Sequence, residues 1–152
     1  TAVASARHEA LVRDLGAQHF IDRHETDFAA VRDQYDVIFD AVGKSSFRAA
    51  APALKPGGIY LTSAVSFGIF WLMLTGGKRG TRRGKLATTG LRPEADKRRD
   101  LEQLTELLDI GAVRPVTDRT FTLAEIVDAH CYVEGERKAG DVIVLMPDAV
   151  KG

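Results

Sequence analysis

The stretch YDVIFDAVG, residues 35–43, decides the fold class of this chain. Residues 37–39 are consecutive apolar side chains, and strands of a parallel sheet show such runs because both of their faces are buried. An acid, Asp40, follows this run, and three small residues, 41–43, come directly after it. We therefore expect a central strand that is buried on both faces and ends in a carboxylate beside an open turn.

Apolar runs typical of strands alternate with stretches of helical periodicity on either side of this segment. Strands are predicted at residues 1–5, 19–22, 36–42, 59–64 and 85–90, and helices around 11–15, 28–31, 45–54, 65–75 and 94–110. The turn KPGG, residues 55–58, separates one helix from the strand that follows it. This alternation predicts an α/β fold with a parallel sheet and helices on its faces.

The last part of the chain changes pattern. Residues 113–123 are typical of a strand and a turn, residues 124–135 of a short amphipathic helix, and residues 141–147 of a final buried strand. We expect this tail to leave the main sheet.

Composition and charge indicate an ordinary globular protein. The 152 residues are 45% hydrophobic, and 21 basic residues balance 21 acidic ones. This balance gives no overall field that would attract nucleic acid or a membrane. The longest apolar run, residues 65–75, is shorter than the roughly 20 residues that a membrane-spanning helix needs. The single cysteine, Cys131, cannot form an internal disulfide, which favours a reducing, cytoplasmic compartment.

Ligands of open parallel sheets bind beyond the carboxyl ends of the strands, where loops diverge and helix N-termini present N–H groups. The residues at these ends are the candidate site. Small residues after Asp40 leave room for a flat ligand against the backbone. Asp40 itself is expected to accept backbone hydrogen bonds from the turn rather than to act as a base, because a buried carboxylate needs hydrogen-bond partners.

The end of the first predicted strand carries Ser5 and Arg7. Enzymes that prefer NAD place an acid at the end of the second strand of their sheet, where it binds the ribose 2′-hydroxyl. A hydroxyl and a guanidinium instead suit a phosphate dianion. Arg23, at the end of the next strand, could add a second positive charge; the alternative is that both arginines are solvated surface residues.

Other features of the sequence have simpler interpretations. The basic segment 78–85 is interpreted as a solvated loop, because it contains no aromatic residue that would stack on a base. The four histidines show no spacing of metal ligands, and no metal site is assigned. Aromatic residues in 65–75 could line an apolar pocket, form a subunit contact or pack in the core.

Taken in order, the segments 10–28, 35–47, 53–62 and 124–145 resemble the medium-chain dehydrogenase/reductase superfamily, and within it the quinone-oxidoreductase-like branch. The resemblance implies a Rossmann-type doubly wound parallel sheet that lacks its first β-α unit. It also implies a chain cut from a longer protein. Residues 1–112 would form a partial dinucleotide-binding domain, and residues 113–152 would return to a catalytic domain that is absent here.

The resemblance further implies the activity and the cofactor contacts. NADP(H) would deliver hydride to a quinone or an α,β-unsaturated carbonyl in a protein that is commonly a homodimer. Ser5 and Arg7 would contact the adenosine phosphate, and the small residues after the third and fourth strands would approach the nicotinamide. The candidate cofactor residues are Ser5, Arg7, Arg23, Ala41, Val42, Gly43, Thr62 and Ser63. Arg23 stands where the family often has a tyrosine.

Three alternatives stay open at this point. Zinc-dependent alcohol dehydrogenases share the same cofactor domain, and their metal ligands would lie mostly outside this segment. S-adenosylmethionine-dependent methyltransferases often carry the motif LKPGG, present here at residues 54–58, and would add an antiparallel end to the sheet. The segment could also be a binding module without turnover. Catalytic residues are not assigned.

Overall fold

A computed structural model of the chain describes residues 1–63, 78–87, 93–135 and 138–147. The chain divides into two compact units, Thr1–Arg98 and Arg99–Gly152. The predicted division of the chain after residue 112 stays a prediction, as does the assignment of the tail to a catalytic domain. Within the described ranges, no helix combines the length and apolar character that crossing a bilayer requires.

Eight strands and four α-helices are described. The strands are β1 (Ala2–Ala4), β2 (Phe20–Asp22), β3 (Tyr35–Asp40), β4 (Leu54–Thr62), β5 (Lys78–Arg79), β6 (Arg82–Leu86), β7 (Thr117–Thr122) and β8 (Asp141–Leu145). The helices are α1 (Glu9–Asp14), α2 (Phe47–Ala50), α3 (Glu94–Asp109) and α4 (Ile126–Glu134). The predicted α/β class is confirmed. The helix predicted around residues 65–75 lies outside the described residues.

The parallel strands of the first unit form two hydrogen-bonded groups. β1 pairs with β2, and the second group has the order β3-β4-β6-β5, in which β5 alone runs antiparallel. A Rossmann sheet has the order 3-2-1-4-5-6, so that its first strand separates the second from the fourth. If β1 is the second strand of that order, the break between β1 and β3 falls where the first strand would lie. The pairing thus agrees with a doubly wound sheet without its first β-α unit.

The core of the first unit lies on one face of β3 and β4. Phe47, Ala50, Ala51, Leu54 and Tyr60 are buried there against each other. The α2 helix can deliver its share of these side chains because the Ser46 hydroxyl accepts a hydrogen bond from the Ala49 N–H and so caps the first turn. The core is therefore formed by side chains of α2, of the residue that follows α2 and of β4.

The prediction that β3 is a central strand with both faces buried is wrong for this chain. In its sheet β3 has a hydrogen-bonded neighbour on one side, β4. Its residues Val37 and Phe39 are 57% and 60% exposed, whereas Ile38, which points to the opposite face, packs against the core. The apolar run correctly indicates a strand that could be covered on both faces, but the described residues supply a cover for one face.

Three local predictions also need correction. The segment Phe28–Ala30 forms a single 3-10 turn instead of an α-helix. The last strand of the sheet, β6, begins three residues earlier than predicted. The basic segment 78–85 is not a solvated loop: it forms the β5-β6 hairpin, in which Arg82 Nε donates a 2.6 Å hydrogen bond to the Leu54 carbonyl and its guanidinium pairs with Asp33.

The second unit contains the predicted strand, helix and strand of the tail. β7 and β8 pair in parallel apart from the other sheets, as expected of a tail that leaves the main sheet. Asp118 accepts hydrogen bonds from the Tyr132 hydroxyl at 2.8 Å and the Ala139 N–H at 2.9 Å, which ties α4 to the start of β8. The prediction that β8 is buried is wrong, because Leu145 is 55% exposed.

The substitution Gly140→Ala is expected to destabilise the second unit. A Cβ at this position would overlap the Val116 carbonyl and lie 2.8 Å from Val116 Cγ1, at the point where β7 and β8 first approach each other. We expect overpacking to lower the free energy of unfolding by about 1–3 kcal/mol in denaturant titrations. Gly135→Ala is the matched control, since its Cβ would make ordinary contacts of 3.4 Å or more. Equal stability of the two variants would contradict this packing.

Candidate functional site

The turn after β3 is organised by the carboxylate of Asp40. Its Oδ1 accepts hydrogen bonds from the N–H groups of Val42 at 3.2 Å and Gly43 at 2.7 Å. Its Oδ2 accepts from the Ser45 N–H at 3.0 Å and from the Tyr60 hydroxyl at 2.8 Å. The left-handed φ of 75° at Gly43 allows the chain to turn back toward the carboxylate. The expected structural role of Asp40 is confirmed.

These contacts also set the ionisation of the two side chains. Burial raises the pKa of Asp40, but the hydrogen bonds from Ser45, Tyr60, Gly43 and Val42 together outweigh it, and the net pKa lies below the ordinary value of 3.8. Burial and the bond to Asp40 raise the pKa of Tyr60 well above its ordinary value. Asp40 is therefore an anion and Tyr60 a neutral hydrogen-bond donor throughout the physiological pH range.

Five of the predicted site residues lie together at the carboxyl ends of β3 and β4. They are Ala41, Val42, Gly43, Thr62 and Ser63. Ser63 connects the two ends, because its N–H donates to the Asp40 carbonyl and its hydroxyl to the Ala41 carbonyl, both at 3.4 Å. Ala41 and Val42 are exposed, whereas Thr62 is 4% exposed and its hydroxyl bonds to Tyr60. We call this group the shelf.

The other three predicted residues lie together at the ends of β1 and β2. An open pocket of about 340 Å³ is lined by Ser5, Ala6, Arg7, Asp22, Arg23 and His24. A 3.0 Å hydrogen bond from the Arg23 N–H to the Ala4 carbonyl continues the pairing of the two strands into this region. The strand ends thus bring Ser5, Arg7 and Arg23 to one place, which we call the cationic pocket.

The cationic pocket also contains Asp22, at the end of β2, and His24, a residue that the sequence analysis did not assign to the site. Asp22 Oδ1 accepts a 2.9 Å hydrogen bond from the His24 N–H and so shapes the turn. His24 Nε2 lies 3.2 Å from Arg23 Nε and 3.4 Å from Ser5 Oγ. His24 is 19 positions from Ser5 in the sequence, and the contact between the two side chains is evident only in the fold.

The donors of the cationic pocket suit an anion with several oxygens. Arg7 uses its Nε to donate to His8 at 2.9 Å, and Arg23 uses its Nε to donate to His24. In the described part of the chain the η nitrogens of both arginines donate to no other group. Guanidinium groups form strong charge-assisted bonds with phosphate, and the Ser5 hydroxyl can donate beside them.

A metal centre finds no comparable support. Across residues 1–63, 78–87, 93–135 and 138–147, no three His, Cys, Asp or Glu side chains come close enough to hold a metal ion together. His24 is engaged with Arg23, and Cys131 is an exposed residue of α4. The described residues therefore do not fit a zinc site.

Sequence comparisons connect the chain to a family and to named relatives. The family described as "Zinc-binding dehydrogenase" matches residues 15–144. The chain is similar to the chloroplastic NADPH-dependent alkenal/one oxidoreductase of Arabidopsis thaliana, with 31% identity over 94% of this chain and 32% of the relative. It is also similar to the mitochondrial NAD(P)H oxidoreductase RTN4IP1 of Mus musculus, with 32% identity over 95% of this chain and 41% of the relative. The chain thus spans less than half of the length of either relative.

Two solved structures have the same fold and a low sequence identity to this chain. The CurK enoyl reductase superposes with a TM-score of 0.76 at 21% identity, over 96% of this chain and 46% of that protein. A putative alcohol dehydrogenase from Sinorhizobium meliloti 1021 superposes with a TM-score of 0.70 at 23% identity, over 96% of this chain and 41% of that protein. These similarities support the fold alone.

The substitution Asp40→Asn is expected to loosen the shelf. A neutral amide offers one acceptor oxygen where the carboxylate offers two, so donors now bound to Oδ2 lose their partner. We expect a loss of about 1–3 kcal/mol in the free energy of unfolding at pH 7. Because the folded-state pKa is lowered, the advantage of wild type over the variant is present above pH 3.8 and disappears as the pH falls through the lower folded value.

Unfolding curves at several pH values measure this difference. Asp36→Asn is the matched control on the same strand, since the Asp36 side chain is 78% exposed and pairs with Lys55 at the surface. A deficit of Asp40→Asn that persists unchanged below the folded-state pKa, or equal deficits for the two variants at pH 7, would show that the carboxylate does not hold the turn.

Proposed function

Since the chain belongs to the zinc-binding dehydrogenase family of the medium-chain dehydrogenase/reductase superfamily, we propose that it is the cofactor-binding part of an NADP(H)-dependent oxidoreductase. The reaction would transfer hydride to a quinone or an α,β-unsaturated carbonyl. The name of the plant relative specifies NADPH and an alkenal or alkenone, which supports both the cofactor and the substrate class.

The observation that carries this proposal is the composition of the cationic pocket. The end of β1 presents Ser5 and Arg7, and the end of β2 adds Arg23. An acid at the end of β1 would bind a ribose 2′-hydroxyl and repel a 2′-phosphate. The residues present instead offer a hydroxyl and two guanidinium groups, which match the charge and hydrogen-bonding capacity of the 2′-phosphate of NADP(H).

The shelf would support the nicotinamide end of the cofactor. Ala41, Val42 and Gly43 present little side-chain bulk, and Ser63 fixes their backbone to the end of β4. A flat ring could lie against this surface, held in one orientation by contacts with the turn. When bound, the reduced nicotinamide supplies the hydride, and the chain's residues contribute position and polarity. Substrate-binding and proton-donating residues are not assigned within this chain.

The alternatives differ in their support. The family description names zinc, and the described residues do not gather a ligand set. The ligands of a zinc-dependent alcohol dehydrogenase would lie mostly outside this segment, so this alternative stays open and no step is assigned to a metal. The sheet does end in an antiparallel strand, β5, as the methyltransferase alternative requires, but β5 is a two-residue hairpin partner and the family match contradicts that alternative. A binding module without turnover differs from the proposed enzyme in one observable, NADPH consumption in the presence of an enone.

Partners and location follow as parts of the same proposal. We expect a small-molecule substrate, a homodimeric assembly and no binding of nucleic acid or membrane. The single cysteine supports a reducing compartment, for which the cytoplasm is the simplest assignment. The relatives named above are chloroplastic and mitochondrial, so imaging of a tagged full-length protein is the direct test of location.

The full-length protein is expected to bind NADPH more tightly than NADH, and Arg7→Ala should remove much of this preference. Loss of a charged hydrogen bond to the 2′-phosphate costs about 1.5–3 kcal/mol, whereas NADH has no group at that position. Titration of cofactor fluorescence gives both affinities. The substitution should therefore weaken NADPH binding and leave NADH binding nearly unchanged.

Arg13→Ala is the matched control, because Arg13 is an arginine of α1 that pairs with Glu9 on the surface, away from the cationic pocket. It should leave both affinities unchanged. An equal loss of NADPH and NADH affinity in Arg7→Ala would assign Arg7 a structural role, and tighter binding of NADH by wild type would overturn the cofactor assignment.

A further inference from the structure

His24 lines the cationic pocket, although it is not one of the residues that the sequence predicts to bind cofactor. Its Nε2 atom lies within 3.2 Å of Arg23 Nε and 3.4 Å of Ser5 Oγ, two of the three groups proposed to bind the phosphate. The backbone N–H of His24 donates to Asp22 Oδ1, so the turn fixes the part of the backbone that carries the ring. The imidazole thus lies between the donors that would surround a bound phosphate.

The hydrogen bond from Arg23 gives one nitrogen of this ring the role of an acceptor. Arg23 Nε is a permanent donor, so the contact at 3.2 Å uses the lone pair of His24 Nε2. A proton on Nε2 would remove this hydrogen bond and bring two positive charges close together.

A bound phosphate changes the charges around this nitrogen. A dianion between Arg7 and Arg23 neutralises their charge and offers oxygen acceptors to any further donor. Protonated His24 could then turn from acceptor to donor and form a charge-assisted bond to a phosphate oxygen. Histidine is the side chain that ordinarily changes charge between pH 5 and 8.

We propose that His24 is a determinant of 2′-phosphate specificity and that it takes up a proton when the 2′-phosphate binds. This inference rests on the proposed function of the cationic pocket. It adds a residue and a pH dependence: the preference for a 2′-phosphorylated nucleotide strengthens as the pH falls from 8.0 toward 6.5.

The charged groups around His24 are consistent with this coupling. Asp22 and Arg23 lie in its own turn, and Arg7 faces the pocket from the turn after β1, where its Nε donates to His8. The Asp22 carboxylate would by itself disfavour a phosphate. A proton on His24 would offset the negative charge of Asp22 when the phosphate dianion, with its two negative charges, binds.

The experiment compares two small probes, adenosine 2′,5′-bisphosphate and 5′-AMP, which differ in the 2′-phosphate alone. Their affinities for the full-length protein are measured by calorimetry between pH 6.5 and 8.0. The second ionisation of a phosphate monoester lies near pH 6, so the dianion still dominates at pH 6.5 and its own titration weakens binding at lower pH. Any gain in preference on acidification must therefore come from the protein.

We expect the ratio of the two affinities to rise about three- to tenfold in wild type from pH 8.0 to 6.5, the range for one exposed charged hydrogen bond. His24→Gln keeps a hydrogen-bonding side chain without a titrating ring, and its ratio should change less than twofold. His19→Gln is the matched control, an exposed histidine that does not line the pocket, and should behave like wild type. Repeating the titration in buffers of different ionisation enthalpy should reveal proton uptake in wild type that His24→Gln lacks.

The outcomes separate this inference from the function on which it rests. If wild type prefers the 2′-phosphorylated probe but shows neither a pH-dependent ratio nor proton uptake, His24 is a bystander and the cofactor assignment stands. If His24→Gln follows the same pH profile as wild type, the titrating group lies elsewhere and the inference fails. If wild type does not discriminate between the probes at any pH, both the inference and the proposed cofactor fail.

Discussion

The carboxylate of Asp40 is the constraint on which the shelf depends. It accepts four hydrogen bonds at the point where β3 ends, three from the following turn and one from Tyr60 on the neighbouring strand. A strand end without such an acceptor would leave several N–H groups without partners, and the chain could leave the sheet in many directions. The acid therefore explains why the small residues after it can form a defined surface.

The shelf and the cationic pocket are built from different kinds of chemical groups. The shelf is made from backbone and small side chains, and its geometry comes from hydrogen bonds inside the protein. The cationic pocket is made from long charged side chains, whose positions depend on contacts between neighbouring turns. The proposed cofactor has a flat nicotinamide ring at one end and a charged 2′-phosphate at the other, and the two kinds of surface suit these two ends.

The sequence predicts much of this architecture because the local signals agree with one another. The apolar run at residues 37–39 and the periodicity of α3 each identify their elements. The turn predicted at residues 55–58 lies instead within β4, Leu54–Thr62, so the start of that strand was not predictable from its Pro and Gly residues. The same signals do not show which strand edges have neighbours, so β3 was expected to be buried on both faces although Val37 and Phe39 are exposed here. Strand pairing depends on residues that are far apart in the sequence. The composition of one segment therefore indicates which of its faces can be buried, but not whether another element covers them.

The candidate site, like the fold, is only partly predictable from the sequence. The sequence predicts that Ser5, Arg7 and Arg23 lie together, because the strand ends of a parallel sheet converge, and their role in cofactor binding stays a prediction. The place of His24 beside them could not be predicted, since a lone histidine in a polar turn has no distinctive pattern. Likewise Arg82 belongs to a basic run that indicates a solvated loop, yet the fold directs its guanidinium to Asp33 and the Leu54 carbonyl.

The central claim is that the ends of β1 and β2 hold the 2′-phosphate of NADP(H). A crystal structure of the full-length protein with bound NADP⁺ tests it most directly. We expect phosphate oxygens within hydrogen-bonding distance of the Ser5 hydroxyl and of the guanidinium groups of Arg7 and Arg23. A structure in which the adenosine phosphate contacts none of these three side chains would contradict it.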